Sequence, residues 1–481
     1  MNQIGLIRTA FRRHTAGDRP SIVPNLVFPT VTPHEAARLC LTADGWRSWG
    51  QFAADVEALR PRIRSHDTIC NLAGTRYAFM VGLAAALLNA QRTLLPSSAA
   101  PENVRRTMAG SDSVLILGNG LPELDGPRFS DIPKDGGSVD PARIFKDLAR
   151  STGEIRVHTS GSTGAPMPHV KTFAALAGGS NLTENLFAQS GLDTTPGALT
   201  IIGTTPYQHM FGLEAAIIAP MVYGHPVVEH IPMLPGDLES ILHHARAAGC
   251  NEIALVTSPA HLKFLEPVIM DAPEVRTILS ATAPMPQGLA ERLEARGDLA
   301  VMEIYGSTET GSLAGRRTVQ GPDWTPMNGF RLERVEDASW RASAPHLSQP
   351  EQLADALEMG TDGRFRLLGR LGEMVTVAGK RNNLGALNAA LAEADGILTG
   401  CYVALRESAD AESALGIAVV PQSPDADPAQ VRRAVRNHLR TLIDPVFVPR
   451  QIILTDAIRR DATGKVTASE LQRLRRLFNP G

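Results

Sequence analysis

The sequence is poor in several things, and each shortage excludes something. Four cysteines in 481 residues (Cys40, Cys70, Cys250 and Cys401) stand far apart with no Cys-x-x-Cys pair. This excludes a disulfide scaffold or a cysteine zinc site and fits a reducing cytosol. Neither sign of charge dominates: the formal net charge is −3, so nothing points to nucleic acid or an anionic membrane. No apolar run is long enough to span a bilayer; residues 77–90 (YAFMVGLAAALLNA) are too short and read as a buried helix. The basic start, MNQIGLIRTAFRRH, lacks the apolar core and small-residue cleavage site of a secretory signal. The expectation is a cytoplasmic chain with no transmembrane segment. Internal repeats and long low-complexity tracts are missing, and no Gly-Lys-Ser/Thr closes a Walker loop.

What is present is an ordinary globular composition, 43% apolar and 20% charged, in a chain too long for one simple core. Strand-like and helix-like stretches alternate from Trp46 onward, the mark of an α/β fold with largely parallel sheets layered with helices. Four polar or glycine-bearing stretches each follow a strand: residues 159–171, 204–212, 281–284 and 305–311. Ligands collect at the carboxyl ends of strands in open α/β sheets, so these four loops are expected to share one cleft. Residues 332–352 look irregular. The tail changes character, with two strand-like runs and a helix opened by Asp427 and Pro428. The predicted organisation is a large domain over 1–369 and a small α+β domain over 370–481.

The densest stretch is 159–171, TSGSTGAPMPHVK. Gly161 and Gly164 let consecutive N–H groups turn inward. Thr159, Ser160, Ser162 and Thr163 add hydroxyls, and Lys171 adds a charge. Such a concavity suits a polyphosphate, although a Ser/Thr/Gly cluster between periodic segments is also what a plain connecting loop looks like.

Taken in order, the motifs resemble those of the adenylate-forming (AMP-binding) superfamily of acyl- and aryl-CoA ligases, luciferases and peptide-synthetase adenylation domains. TSGSTG resembles the family phosphate loop, TTPYQHMFG the aromatic acyl-pocket loop and YGSTETG the adenine and magnesium motif. Arg370 in LLGRLGE resembles the ribose-contacting hinge arginine, and DATGKV the C-terminal motif with the catalytic lysine. The match runs from about Trp46 to Leu474. PHVKT, QHMFGLE, LSATAP, AGKRNNL and DPVFVPR most resemble the ligases of aryl polyene and xanthomonadin-type clusters.

The resemblance implies ATP, Mg²⁺ and CoA or a phosphopantetheine carrier protein, with a small carboxylic acid as substrate. It implies that Lys465 bridges the carboxylate and the α-phosphate, that Glu309 holds Mg²⁺ and that Thr308 bonds the α-phosphate. Tyr305 and Gly306 would meet adenine, and Asp355 and Arg370 the ribose. His209, Phe211, Gly212, Ala281, Thr282 and Ala283 would wall the acyl site, with His209 near the carboxylate. Ala378 and Gly379 resemble the small pair lining the thiol tunnel. An amino-acid substrate is disfavoured, because its ammonium group needs a buried acid and the loop YQHMFG has none, Glu214 being the nearest.

Three positions depart from the family pattern. Met167 stands where a phosphate-loop lysine is usual, Leu353-Ala354-Asp355 replaces the usual Thr-Gly-Asp, and Gly372, two residues after Arg370, stands where an acidic or lysine hinge residue is usual. The implied activity is an acid–thiol ligase for an aryl acid of the hydroxybenzoate or hydroxycinnamate kind. A medium-chain fatty acyl ligase, and a nucleotide-binding protein of the same fold without turnover, are the alternatives. The arginines at 432, 433, 436 and 440, with those at 473, 475 and 476, form either a solvated helix face or a surface for an acidic acyl-carrier protein.

Overall fold

The computed structural model describes residues 34–118, 128–129, 137–159, 167–336, 339–370, 374–377, 380–405, 414–460 and 466–478. Two large sheets dominate. The first is nine-stranded, and its centre places Ala300–Ser307, Val275–Ser280, Glu252–Thr257 and Leu199–Gly203 side by side and parallel. Gly311–Arg317 turns back antiparallel on Ala300–Ser307. The second is six-stranded and ends with Glu154–Thr159 and its antiparallel neighbour Met167–Lys171.

The central strands are apolar on both faces, as strands sandwiched between helical layers must be. Ala254 and Val256 face a core shared with the second sheet and the helices Trp49–Ile63 and Arg76–Leu88. Ile253 and Leu255 face the opposite way, onto Leu238, Leu262, Leu265 and Leu289 from three covering helices. Helix starts are written locally. Ser48 and Gln51 form a reciprocal capping box, and Thr75 accepts from Ala78 N. The apolar run at 77–90 forms the largely buried helix Arg76–Leu88. No helix among the described residues is long and apolar enough to cross a membrane.

Two stretches differ from the sequence reading. Residues 332–352 are not irregular but carry a small antiparallel sheet, Arg331–Glu336 with Ser339–Ser343 and Glu351–Gln352. Its inward residues Trp340 and Ala342 pack with Trp324, Leu357 and Phe365. The second half of 159–171 is likewise not loop: Met167–Lys171 pairs residue by residue with Glu154–Thr159, from Thr159↔Met167 to Ile155↔Lys171. Pro168 is tolerated there because the strand is a sheet edge, where a missing N–H breaks no ladder.

Beyond residue 380 a three-stranded sheet carries its own cores. Tyr402, Ile417 and Val419 face the helices Leu384–Ala392 and Pro428–Leu442, while Cys401, Val403 and Ala418 face Leu474 and Phe478. Asp427 caps the helix Pro428–Leu442 by accepting from Ala429 N. The four cysteines are buried and none is in a disulfide.

Candidate active site

Three of the four sequence-marked loops leave the carboxyl ends of strands in one sheet. Residues 204–212 follow Leu199–Gly203, residues 281–284 follow Val275–Ser280, and the turn 308–310 follows Ala300–Ser307. The fourth belongs to the other sheet, as the link between Glu154–Thr159 and Met167–Lys171.

At the turn after Ala300–Ser307, side chains are tied together by hydrogen bonds. Tyr305 donates its hydroxyl to Asp355 Oδ2 at 2.9 Å. Its ring packs against Trp324 and Phe365, centroids 5.8 and 5.9 Å away. Asp355 lies directly opposite Arg370 in the hairpin Asp355–Met359 with Phe365–Arg370. The sequence spacing thus brings Tyr305, Asp355 and the backbone of Arg370 to one place. The turn itself is fixed by Ser307 N donating to Thr310 Oγ1 at 3.1 Å and Thr310 N to Ser307 Oγ at 3.2 Å. Gly306 must be glycine, since a Cβ there would lie 2.1 Å from the Gly311 carbonyl oxygen.

Glu309 sits on this turn, next to Thr308, with its side chain 43% exposed. Burial works against its charge, but hydrogen bonds from its own backbone and from Ser307, with His169 and Lys171 nearby, hold the carboxyl below its usual range. An ionised, accessible carboxylate of this kind is a hard oxygen donor that suits Mg²⁺, which takes one or two carboxylates together with substrate phosphates.

The edge strand Met167–Lys171 reaches the same turn from the other sheet. Lys171 donates Nζ–H to the Glu309 carbonyl at 2.5 Å. His169 Nε2 lies 3.7 Å from Glu309 Oε1 and 3.3 Å from Thr159 Oγ1. Burial, aided by the Lys171 charge and opposed by Glu309, keeps the His169 ring below the ordinary histidine range. Burial also lowers Lys171, against the pull of Glu214, Glu351 and Glu309. An isolated buried ammonium costs several kcal/mol, so these carboxylates are what make a lysine tenable here (about that magnitude per unpaired ion).

Glu214 was marked in the sequence only as the nearest acid to the acyl loop. It is 1% exposed and opens a π-helical turn, Glu214–Ile218. Its Oε2 accepts from Ser312 N at 2.8 Å and Ser312 Oγ at 2.6 Å. Burial pushes its carboxyl up to about 7, against the Ser312 hydrogen bonds and Lys171.

The other loops are shaped more by backbone than by polar side chains. Tyr207 anchors residues 204–212 by donating to the Ala73 carbonyl at 2.7 Å. His209 caps the short helix Met210–Leu213, whose Leu213 N donates to the His209 carbonyl at 2.8 Å. Phe211 is half-buried against the main core. A Cβ on Gly212 would lie 2.2 Å from the Pro206 carbonyl oxygen, so only glycine fits. Ala281 is buried, Ala283 exposed, and Thr282 between them holds φ at +78°. That is a strained value for a β-branched residue. A polar ladder lies beside them: Thr204 Oγ1 meets Thr257 Oγ1 at 2.7 Å and His261 Nδ1 at 2.8 Å. The ladder was not legible, because Thr204 comes from a loop 53 residues before Thr257, which ends a strand, and His261 lies in the next helix; an isolated His261 carries no motif.

Ser160, Gly161, Ser162, Thr163, Gly164, Lys465, Gly372, Ala378 and Gly379 lie outside the described residues, as does the side chain of Arg370.

Comparisons with known proteins agree with this layout. A family model described as "AMP-binding enzyme" matches residues 155–335. A 4-coumarate–CoA ligase of Halorhodospira halophila is 26% identical over 337 residues, covering 68% of this chain and 78% of that protein. A probable 2-succinylbenzoate–CoA ligase of Mycobacterium tuberculosis is 25% identical over 392 residues, covering 76% and 96%. Among solved structures, the O-succinylbenzoate coenzyme A synthetase of Bacillus subtilis, in complex with ATP and magnesium ion, superposes with a TM-score of 0.70. It shares 15% identity and covers 91% of this chain and 96% of that one, a likeness of fold.

Proposed function

We propose that this chain, whose residues 155–335 match an AMP-binding enzyme family model and which is similar to acyl- and aryl-CoA ligases, activates an aryl carboxylic acid. The acid becomes an acyl-AMP, and the acyl group then passes to a phosphopantetheine thiol on CoA or on an acyl-carrier protein. The observation that carries this reading is the pairing of the Tyr305–Asp355 hydrogen bond with the ionised Glu309 carboxylate one turn away. The aryl preference is supported by the names of the relatives, 4-coumarate and 2-succinylbenzoate ligases.

In the first half-reaction a carboxylate oxygen attacks the α-phosphorus of ATP. The new P–O bond forms as the bond to pyrophosphate breaks. Two anions must meet, so catalysis is positioning plus neutralisation. Tyr305 and Gly306 form the adenine wall, while Asp355 and Arg370 take the ribose hydroxyls. Thr159 to Gly164 supply hydroxyl and N–H donors to the phosphates, and Thr308 bonds the α-phosphate. Glu309 would hold Mg²⁺, whose charge would offset that of the polyphosphate. Lys465 bridges the attacking carboxylate and the α-phosphate. His209, Phe211, Gly212, Ala281, Thr282 and Ala283 wall the acid. Glu214 spends its Oε2 on Ser312, which leaves the acyl loop without a free acid for an ammonium group and disfavours amino acids. In the second half-reaction the thiol sulfur attacks the acyl carbon and AMP leaves. Residues 370–481 act as the mobile unit that exchanges Lys465 for the Ala378–Gly379 pair between the two steps.

The test is to incubate the protein with ATP, Mg²⁺ and 4-coumarate without thiol, then add CoA. Mass spectrometry is expected to detect coumaroyl-AMP first and the CoA thioester afterwards. ATP binding without acyl-AMP from any acid supplied would contradict the reading and favour a nucleotide-binding protein without turnover.

A further inference from the structure

Lys171 occupies a place that phosphate neutralisation does not account for. It lies at the end of Met167–Lys171 farthest from the 160–166 connection, four residues past Met167. At about 3.3 Å per strand residue its Cα is roughly 13 Å along the strand from that of Met167. Its ammonium is already bonded to the Glu309 carbonyl at 2.5 Å. Strand periodicity puts His169 on the same face, and His169 approaches the Glu309 carboxylate, Nε2 to Oε1 3.7 Å. One edge strand therefore grips Glu309 twice, at its carbonyl and at its carboxylate.

The grip is backed from below. Glu214 is fully buried, fastened to Ser312 N and Oγ at 2.8 and 2.6 Å, and is among the carboxylates whose charges favour the Lys171 ammonium. Ser312 starts the strand that leaves the Glu309 turn. Lys171 and Glu214 thus hold both sides of that turn, and they join the hairpin of the phosphate-loop candidate to the hairpin bearing Glu309.

We propose that Lys171 is a positioning residue for the divalent ion. It pins the Glu309 carbonyl so that the Glu309 carboxylate meets a metal carried by the polyphosphate. The inference rests on the reading of Glu309 as the Mg²⁺ carboxylate. A lysine acting directly on phosphate would strengthen ATP binding with or without metal. A lysine acting through Glu309 strengthens only the metal-dependent part.

The test is calorimetric titration of the full-length protein with ATP, in excess Mg²⁺ and in EDTA. The expected result for Lys171→Met is about tenfold weaker ATP binding with Mg²⁺, the scale of lost orienting partners at metal sites, and a change within twofold in EDTA. Glu309→Gln is expected to show the same metal-dependent loss. The double variant Lys171→Met/Glu309→Gln is expected to be no weaker than Glu309→Gln, and Lys171→Arg to recover most of the affinity. Should Lys171→Met leave Glu214 without its partner and fail to fold, Lys171→Met/Glu214→Gln removes both charges and carries the same expectation. Equal weakening with and without Mg²⁺, or no weakening, overturns the inference. If Glu309→Gln shows the metal-dependent loss and Lys171→Met does not, only the inference fails. If wild-type binding ignores Mg²⁺, the reading of Glu309 fails and the inference with it.

Discussion

The proposed nucleotide and acyl sides of the site sit at the ends of neighbouring parallel strands, yet they are held differently. On the nucleotide side Tyr305, Asp355, Ser307, Thr310, Lys171 and Glu309 are joined by hydrogen bonds between 2.5 and 3.2 Å. On the acyl side hydrogen bonds fasten the base of the loop, Tyr207 to the Ala73 carbonyl and Thr204 to Thr257 and His261, while the contour comes from Gly212, which tolerates no Cβ, and from Thr282 at φ +78°. A ligand part that never varies rewards fixed polar partners, whereas a variable acid rewards a contour. Changes on the first side should therefore act on rate and nucleotide affinity, and changes on the second on acid choice and stability.

The largest expected effect belongs to Lys465→Ala. Losing the bridge proposed between carboxylate and α-phosphate should slow acyl-AMP formation on the order of 10³-fold, as loss of preorganised charge stabilisation does. Thioester formation from preformed acyl-AMP should survive. Rapid quench of each half-reaction checks this, and equal loss in both would contradict the assigned role.

Next in size is a pH effect rooted in Glu214. Its folded-state pKa is raised to about 7 from 4.5 by burial, so the folded protein binds this proton more tightly than the unfolded chain. The associated stability is present below pH 4.5 and is lost as pH rises through 7, a change on the order of 3 kcal/mol at most. Urea denaturation across this window should show the decline, and Glu214→Gln should flatten it. An unchanged slope in the variant would remove Glu214 from the account.

Tyr305→Phe probes the polar side more gently. Removing a hydroxyl that donates to a carboxylate oxygen is worth about 2 kcal/mol at most, or up to about a thirtyfold rise in KM for ATP. KM for the acid should stay put. A shift in the acid KM instead would place Tyr305 on the wrong side of the comparison.

Thr282→Gly should work in the opposite sense. Relieving a β-branched residue at positive φ stabilises by about 1 kcal/mol, partly offset by glycine's extra chain entropy. Thermal denaturation reports the balance. The same variant should accept bulkier aryl acids with KM for ATP unchanged; altered ATP kinetics would blur the division between the two sides.

How much of this was legible in the sequence follows the same division. The parallel strands were readable because strands buried on both faces form continuous apolar runs such as EIALV and VRTILS. Tyr305, Asp355 and Arg370 were readable through motif order, and the structure brings Tyr305 and Asp355 within hydrogen-bond reach. The strand Met167–Lys171 was hidden by Pro168, which argues against a strand unless the strand is known to be an edge. The sheet at 331–352 was hidden by exposed charges, although Trp340 and Ala342 already alternate with Arg341. The π-turn at Glu214 and the tie from Lys171 to Glu309 are tertiary: 138 residues separate that lysine from its partner, and no local pattern records the meeting.

The most direct test of the central claim is ATP–pyrophosphate exchange with no thiol present, run against aryl acids, medium-chain fatty acids and amino acids. The expected result is exchange with aryl acids that requires Mg²⁺ and disappears in Lys465→Ala. Exchange driven by amino acids, or none with any acid despite measurable ATP binding, would contradict it.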